Sequence, residues 1–157
     1  MPFNPRNVLG LTPLGRILLC CVLAPYGSPL WARAPHPLLD EMRLLTMIAQ
    51  VETGTRNLSR AVKKRGRAGE RSAWQFKAAT WRAYTALPFV KASTDAPLAH
   101  LVASLHLRRL RMELESHGYA ATPYRLAVAW NKGLAVALTD QEMASDYARR
   151  VCALYDE

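Results

Sequence analysis

From Pro37 the apolar positions recur at helical spacing. Leu38, Met42, Leu45, Ile48, Ala49 and Glu52 share one arc at about 100° per residue, and Leu44, Met47 and Val51 fill a second. Two apolar arcs predict a helix surrounded by protein, and Gly54 supplies its stop. Residues 55–73 lose the periodicity, turn basic and carry Gly66 and Gly69 as punctuation, which predicts an irregular loop. "TWRAYT" predicts a short helix from about Lys77 that ends before Pro88.

Three further segments repeat the grammar of caps and stops. "STDAPLAHLVASLHLRRLRMELESHG" offers Thr94 or Asp95 as cap, an early proline and a terminal glycine. Its Leu98, Leu101, Val102, Leu105 and Met112 form one stripe, and Leu107, Leu110 and Leu114 another. "TPYRLAVAWNKG" places Thr122 as cap, Pro123 in the first turn and Gly133 at the exit. "TDQEMASDYARRVCALY" opens with a capping box of Thr139 and Glu142, and Met143, Tyr147, Val151 and Leu154 line one face. With no strand-period segment, residues 35–157 are expected to form one compact, mainly α domain.

Composition changes the picture chiefly at the start of the chain. Residues 1–34 hold Arg6, Arg16, Arg33 and no acid around the apolar run "ILLCCVLA", with a small-residue "ARA" at 32–34. That pattern predicts a signal peptide and an exported protein; the bland alternative is a poorly ordered cytosolic tail. The run is too short for a stable bilayer span, and too little apolar sequence precedes Cys20 for a lipoprotein box. Without this segment 18 basic residues (21 less 3) face 12 acidic ones, a net +6. Cys152 is then the one cysteine left, so the fold must rest on its core and not on a staple.

Glu52 is the residue to explain. Beside Leu45, Ile48 and Ala49 its ionised form is disfavoured, and a carboxyl kept protonated is what acid-catalysed glycoside cleavage requires. A solvated glutamate at a fraying helix end is the alternative. Glu70 is the only other acid between the first helix and Asp95. Flanked by Arg67 and Arg71, it is expected to order the loop as an ion pair, or to act as a base. Trp74, Tyr124, Trp130 and Tyr147 offer rings on which a pyranose face could stack, while Gln75 and Asn131 offer amides for hydroxyl and acetamido groups. Core packing is the competing role for each ring, and Phe76 and Trp81 are assigned to the core. Arg56, Arg60, Lys63, Lys64, Arg65, Arg67 and Arg71 suggest an anionic partner, against the commoner outcome of a solvated loop. His100, His106 and His117 lack the close spacing of a zinc site. "GRAGER" lacks the Lys-Ser/Thr of a phosphate-binding loop.

In order, "QVETG", "GRAGERSAWQFKAATW", "AWNKG" and "DYARRV" resemble the lytic transglycosylase branch of the lysozyme-like superfamily. The family's Glu-Ser at the end of a buried helix falls on Glu52 and Thr53, which keeps the hydroxyl. Its Gly-Leu-Met-Gln block and following threonine fall on Gly69, Gln75 and Thr80, with "ERSAW" where the family has two apolar residues and Trp74 in place of methionine. Its Ala-Tyr-Asn-x-Gly block falls on Trp130, Asn131 and Gly133, with Trp130 replacing tyrosine. Its tyrosine on the last helix falls on Tyr147.

The resemblance implies a lysozyme-like helical fold. It also implies cleavage of peptidoglycan between N-acetylmuramic acid and N-acetylglucosamine by Glu52 alone, giving a 1,6-anhydro product without a cofactor. Thr53, Trp74, Gln75, Tyr124, Trp130, Asn131 and Tyr147 are then the substrate-binding candidates, and Glu70 the candidate second carboxylate. The expected partners are peptidoglycan glycan strands and anionic envelope polymers, with no nucleic acid, for a monomer in the periplasm or cell envelope. Three rivals stand beside this reading. They are a hydrolytic muramidase on the same fold, a small basic nucleic-acid-binding protein gripping phosphate through "KKRGR", and a cell-wall-binding module without turnover.

Overall fold

The computed structural model describes residues 40–139 and 145–157. The expected signal peptide, and Glu142 and Met143, lie outside the described residues. The described chain is helical: α1 Glu41–Thr53, α2 Leu58–Ala61, α3 Ala78–Arg82, α4 Phe89–Ala92, α5 Ala96–Ser116, α6 Pro123–Lys132, α7 Leu134–Ala137 and α8 Asp146–Tyr155. No strand occurs among the described residues; only isolated bridges join Arg65 to Arg71 and Arg71 to Phe76.

Local chemistry sets most helix ends. The carboxylates of Asp40 and Asp95 accept the backbone N–H groups of Arg43 and Leu98, and the Thr122 hydroxyl accepts that of Arg125, which satisfies donors left open in each first turn. Gly54 closes α1 in the left-handed region at φ 69°, donating to the Gln50 carbonyl. Gly133 closes α6 as expected. The last helix starts later than its sequence suggested. Its cap is Ser145, whose hydroxyl accepts from Ala148 N, while Thr139 donates its own hydroxyl to the Val136 carbonyl.

α6 is the most enclosed element. Leu126, Ala127, Val128 and Ala129 are buried in succession, covering every side of the helix. It packs against α8, α7 and α5, and α1 packs on α8 and α5. Helix α1 buries Leu44, Leu45, Ile48, Ala49 and Thr53, with Met47 and Val51 half-covered and Met42 in solvent. Of the second arc, Leu44 is thus fully buried while Met47 and Val51 form a half-covered flank.

Of the two stripes expected on α5, Leu107, Leu110 and Leu114 are buried, and the other needs correction. Leu101, Leu105 and Met112 are exposed, Met112 at 69 %. The buried face runs through Ala99, Val102, Ala103, Leu107, Leu110 and Leu114. Alanines lie at the helix contact because small side chains let two backbones approach closely, so the inward face is less greasy than its neighbour.

Candidate active site

Glu52 lies in the last turn of α1, where the helix ends against a cleft of about 850 Å³. Five parts of the chain meet there. α1 contributes Glu52, the loop after α2 contributes Glu70, Trp74 and Gln75, and α3 with the turn after it contributes Thr80 and Tyr84. α5 contributes His106, Arg109 and Glu113, and the α6–α7 corner contributes Trp130, Asn131 and Lys132.

The decisive contact comes from the far end of the sequence. Tyr147 of α8 donates its phenol proton to Glu52 Oε1 at 2.9 Å. Burial raises the Glu52 carboxyl above its ordinary value. The Tyr147 bond pulls it down, the negative charge of Glu70 pushes it up and Arg150 pulls it down, leaving it raised overall. Burial, followed by the charge of Glu52, drives Tyr147 well above the usual phenol range. The phenol therefore stays a donor wherever the carboxyl titrates. A protonated Glu52 can accept from Tyr147 on one oxygen and present its own proton from the other.

The loop that faces Glu52 is folded tightly. Arg71 and Phe76 exchange both backbone hydrogen bonds, at 3.0 and 2.8 Å, and enclose a four-residue turn. Within it Ser72 and Gln75 sit at φ 72° and 47°, left-handed backbone that side chains adopt only at about 1–2 kcal/mol each. That geometry brings Gln75 to the cleft, where its Nε2 donates to the Ser72 carbonyl at 2.8 Å. Gly66 lies directly beneath: a Cβ there would collide with the Glu70 carboxylate and the Gln75 amide oxygen. Gly69, the glycine singled out by the resemblance, has open space around it and serves its turn through φ 85°.

Glu70 corrects an expectation. Its carboxylate accepts the Ala68 N–H at 3.0 Å, and among the described ion pairs it has none with Arg67 or Arg71. The turn from Gly66 to Glu70, closed by Gly66 N–H on the Glu70 carbonyl, folds the carboxylate back over its own loop.

The other candidates separate into two groups. Trp130 and Asn131 line the cleft with Gln75, and the Trp130 ring lies 4.8 Å from that of His106. Thr53, Trp74 and Tyr124 serve the framework. Thr53 is buried, its hydroxyl donates to the Ala49 carbonyl, and its carbonyl accepts from Lys64 Nζ at 2.7 Å. Trp74 lines the cleft but is only 2 % exposed, and its indole N–H donates to the Leu45 carbonyl. Tyr124 accepts the Ser145 N–H on its phenol oxygen at 3.0 Å. Phe76 and Trp81 are both buried, as expected.

One cleft group escaped the sequence reading. His106 and Tyr84 join through Nδ1 and the phenol oxygen at 2.9 Å, and Phe76 and Trp130 pack on the imidazole. Burial, and then the charge of Arg109, lower His106 to about 4, so the ring is neutral at ordinary pH. The signal was present: His106 stands four residues after Val102 and four before Leu110, on the inward face of α5. Among the described residues no group of three or more His, Cys, Asp or Glu side chains converges as a metal site would need. Comparison with known proteins found no matching family model, no matching curated sequence and no matching solved structure.

Proposed function

We propose that this chain is a peptidoglycan lytic transglycosylase built on a lysozyme-like helical domain. The observation that carries the reading is the 2.9 Å bond from Tyr147 to Glu52 at the wall of the cleft. A carboxyl whose burial prolongs its protonation, held in one rotamer by a phenol, suits general acid catalysis at a glycosidic oxygen. Glu52 gives its proton to the oxygen between N-acetylmuramic acid and N-acetylglucosamine as the bond to the anomeric carbon breaks. The carboxylate then takes the proton of the muramoyl 6-hydroxyl, whose oxygen bonds to that carbon and closes the 1,6-anhydro ring. Glu52 ends as it began, with no water consumed and no cofactor needed. Gln75 and Asn131 suit acetamido and hydroxyl groups, and Trp130 suits a pyranose face. The substrate fits the exported, envelope location expected from residues 1–34.

A hydrolytic muramidase is the second reading, and Glu70 favours it. This carboxylate lines the same cleft and its charge contributes to raising Glu52. Purified peptidoglycan digested in heavy-oxygen water, with products read by mass spectrometry, separates the two. The transglycosylase gives unlabelled 1,6-anhydro ends; labelled free reducing ends would establish the hydrolase instead. Intact glycan would sink both.

A further inference from the structure

The cations between α1 and the cleft loop fall into two kinds. Lys64 caps the Thr53 carbonyl, and Arg56 bonds the Gln50 amide and Glu157. Arg60, Lys63, Arg65 and Arg67 are all exposed, and among the described residues none of them has an ion pair or a side-chain hydrogen bond. Ala61 and Val62 are buried beneath them and fix the segment to the core. Leu58 opens α2 at the start of this basic segment and stands 41 % exposed.

We propose that this exposed segment, Leu58 with Arg60, Lys63, Arg65 and Arg67, docks the protein on an anionic phospholipid bilayer. Four unpaired cations match a layer of phosphate headgroups. A leucine among them has no use on a phosphodiester backbone, but the boundary between headgroups and acyl chains accepts it. Residues 58–67 contain no aromatic ring on which a base could stack. The same loop continues into Glu70 and Gln75, so docking would hold the rim of the cleft close to the membrane. The proposal does not depend on the cleavage chemistry.

Co-sedimentation of the full chain with vesicles tests it. Vesicles of phosphatidylcholine alone give the baseline, and vesicles with roughly one third phosphatidylglycerol give the signal. The wild type should bind the anionic vesicles more tightly, and raising the salt several-fold should release it. Each cation near such a surface is worth roughly fivefold in partitioning, so R60Q/K63Q/R65Q/R67Q should lose on the order of several hundredfold. Leu58→Ser should lose roughly three- to tenfold. Both variants should cleave soluble glycan strands as the wild type does, which separates this test from that of the cleavage reaction. Equal wild-type binding to both vesicle types, or binding that salt does not weaken, overturns the proposal whether or not the variants fold. Unchanged binding by the quadruple variant also overturns it. If Leu58→Ser binds normally and soluble polyphosphate or an oligonucleotide displaces the protein, the segment is a general polyanion site and the bilayer assignment fails.

Discussion

The neutral imidazole of His106 makes acid stability the most exacting test of the cleft. Its value falls from 6.5 to about 4 in the folded chain, because burial and Arg109 disfavour the charged ring. The folded state therefore binds fewer protons than the unfolded state between those two values, and stability must fall as pH drops through that window. A drop of about 2.5 pH units at about 1.4 kcal/mol each gives roughly 3 kcal/mol, trimmed to about 2–3 for a ring that keeps some solvent contact. Urea unfolding at steps between pH 7 and 3.5 would show it, with wild type and His106→Asn compared at each step. Asparagine keeps a polar atom near Tyr84 but does not titrate. Its stability is lower throughout for lost packing, yet the gap to wild type should narrow by about 2–3 kcal/mol on acidification. Glu52 runs the opposite way, so both chains are best measured also with Glu52→Gln. Parallel stability curves, or an imidazole proton resonance titrating near its ordinary value, would refute the buried-neutral assignment.

Glu52→Gln should lower glycan cleavage by about 10²–10⁴-fold, read by turbidity loss of peptidoglycan suspensions. The folded carboxyl holds its proton to higher pH than the unfolded one, so stability falls as pH rises through that window. Glutamine removes the slope and should leave the protein as stable or more so in neutral urea titrations. Tyr147→Phe removes the bond that lowers Glu52, so the alkaline limb of the activity profile should move up in pH; a downward move would count against the pairing. It should also cost about 1 kcal/mol in thermal unfolding. Glu70→Gln takes away a negative charge that raises Glu52, so the same limb should move down while product mass spectra still show 1,6-anhydro ends.

The helix caps were legible because they are local: Asp95, Thr122, Gly54 and Gly133 act on atoms three or four residues away. The buried face of α5 was legible only in part: the stripe of Leu107, Leu110 and Leu114 is buried as expected, but the rest of the face was not read. Its contact surface uses Ala99 and Ala103, which carry little hydrophobic signal, whereas the larger Leu101 and Met112 face solvent. The Glu70 carboxylate was misplaced for a similar reason. Sequence shows two flanking arginines, but the turn through Gly66 turns the carboxylate onto the Ala68 N–H instead. Tyr147 was singled out by the order of motifs. Periodicity placed it on an apolar face of α8 without indicating that the face meets Glu52. His106 hid in a run of leucines and arginines.

The hydrogen bond between Tyr147 and Glu52 spans 95 positions. Contacts so distant in sequence form late, after loop-closure entropy has been overcome and the intervening helices have packed. A chain still emerging, or one whose last helix has not docked, would hold Glu52 solvated and ionised near neutral pH. The raised carboxyl, and with it the acid role proposed for Glu52, then depends on completed folding. A copy whose last helix has not docked would lose that raised carboxyl along with the packing around it.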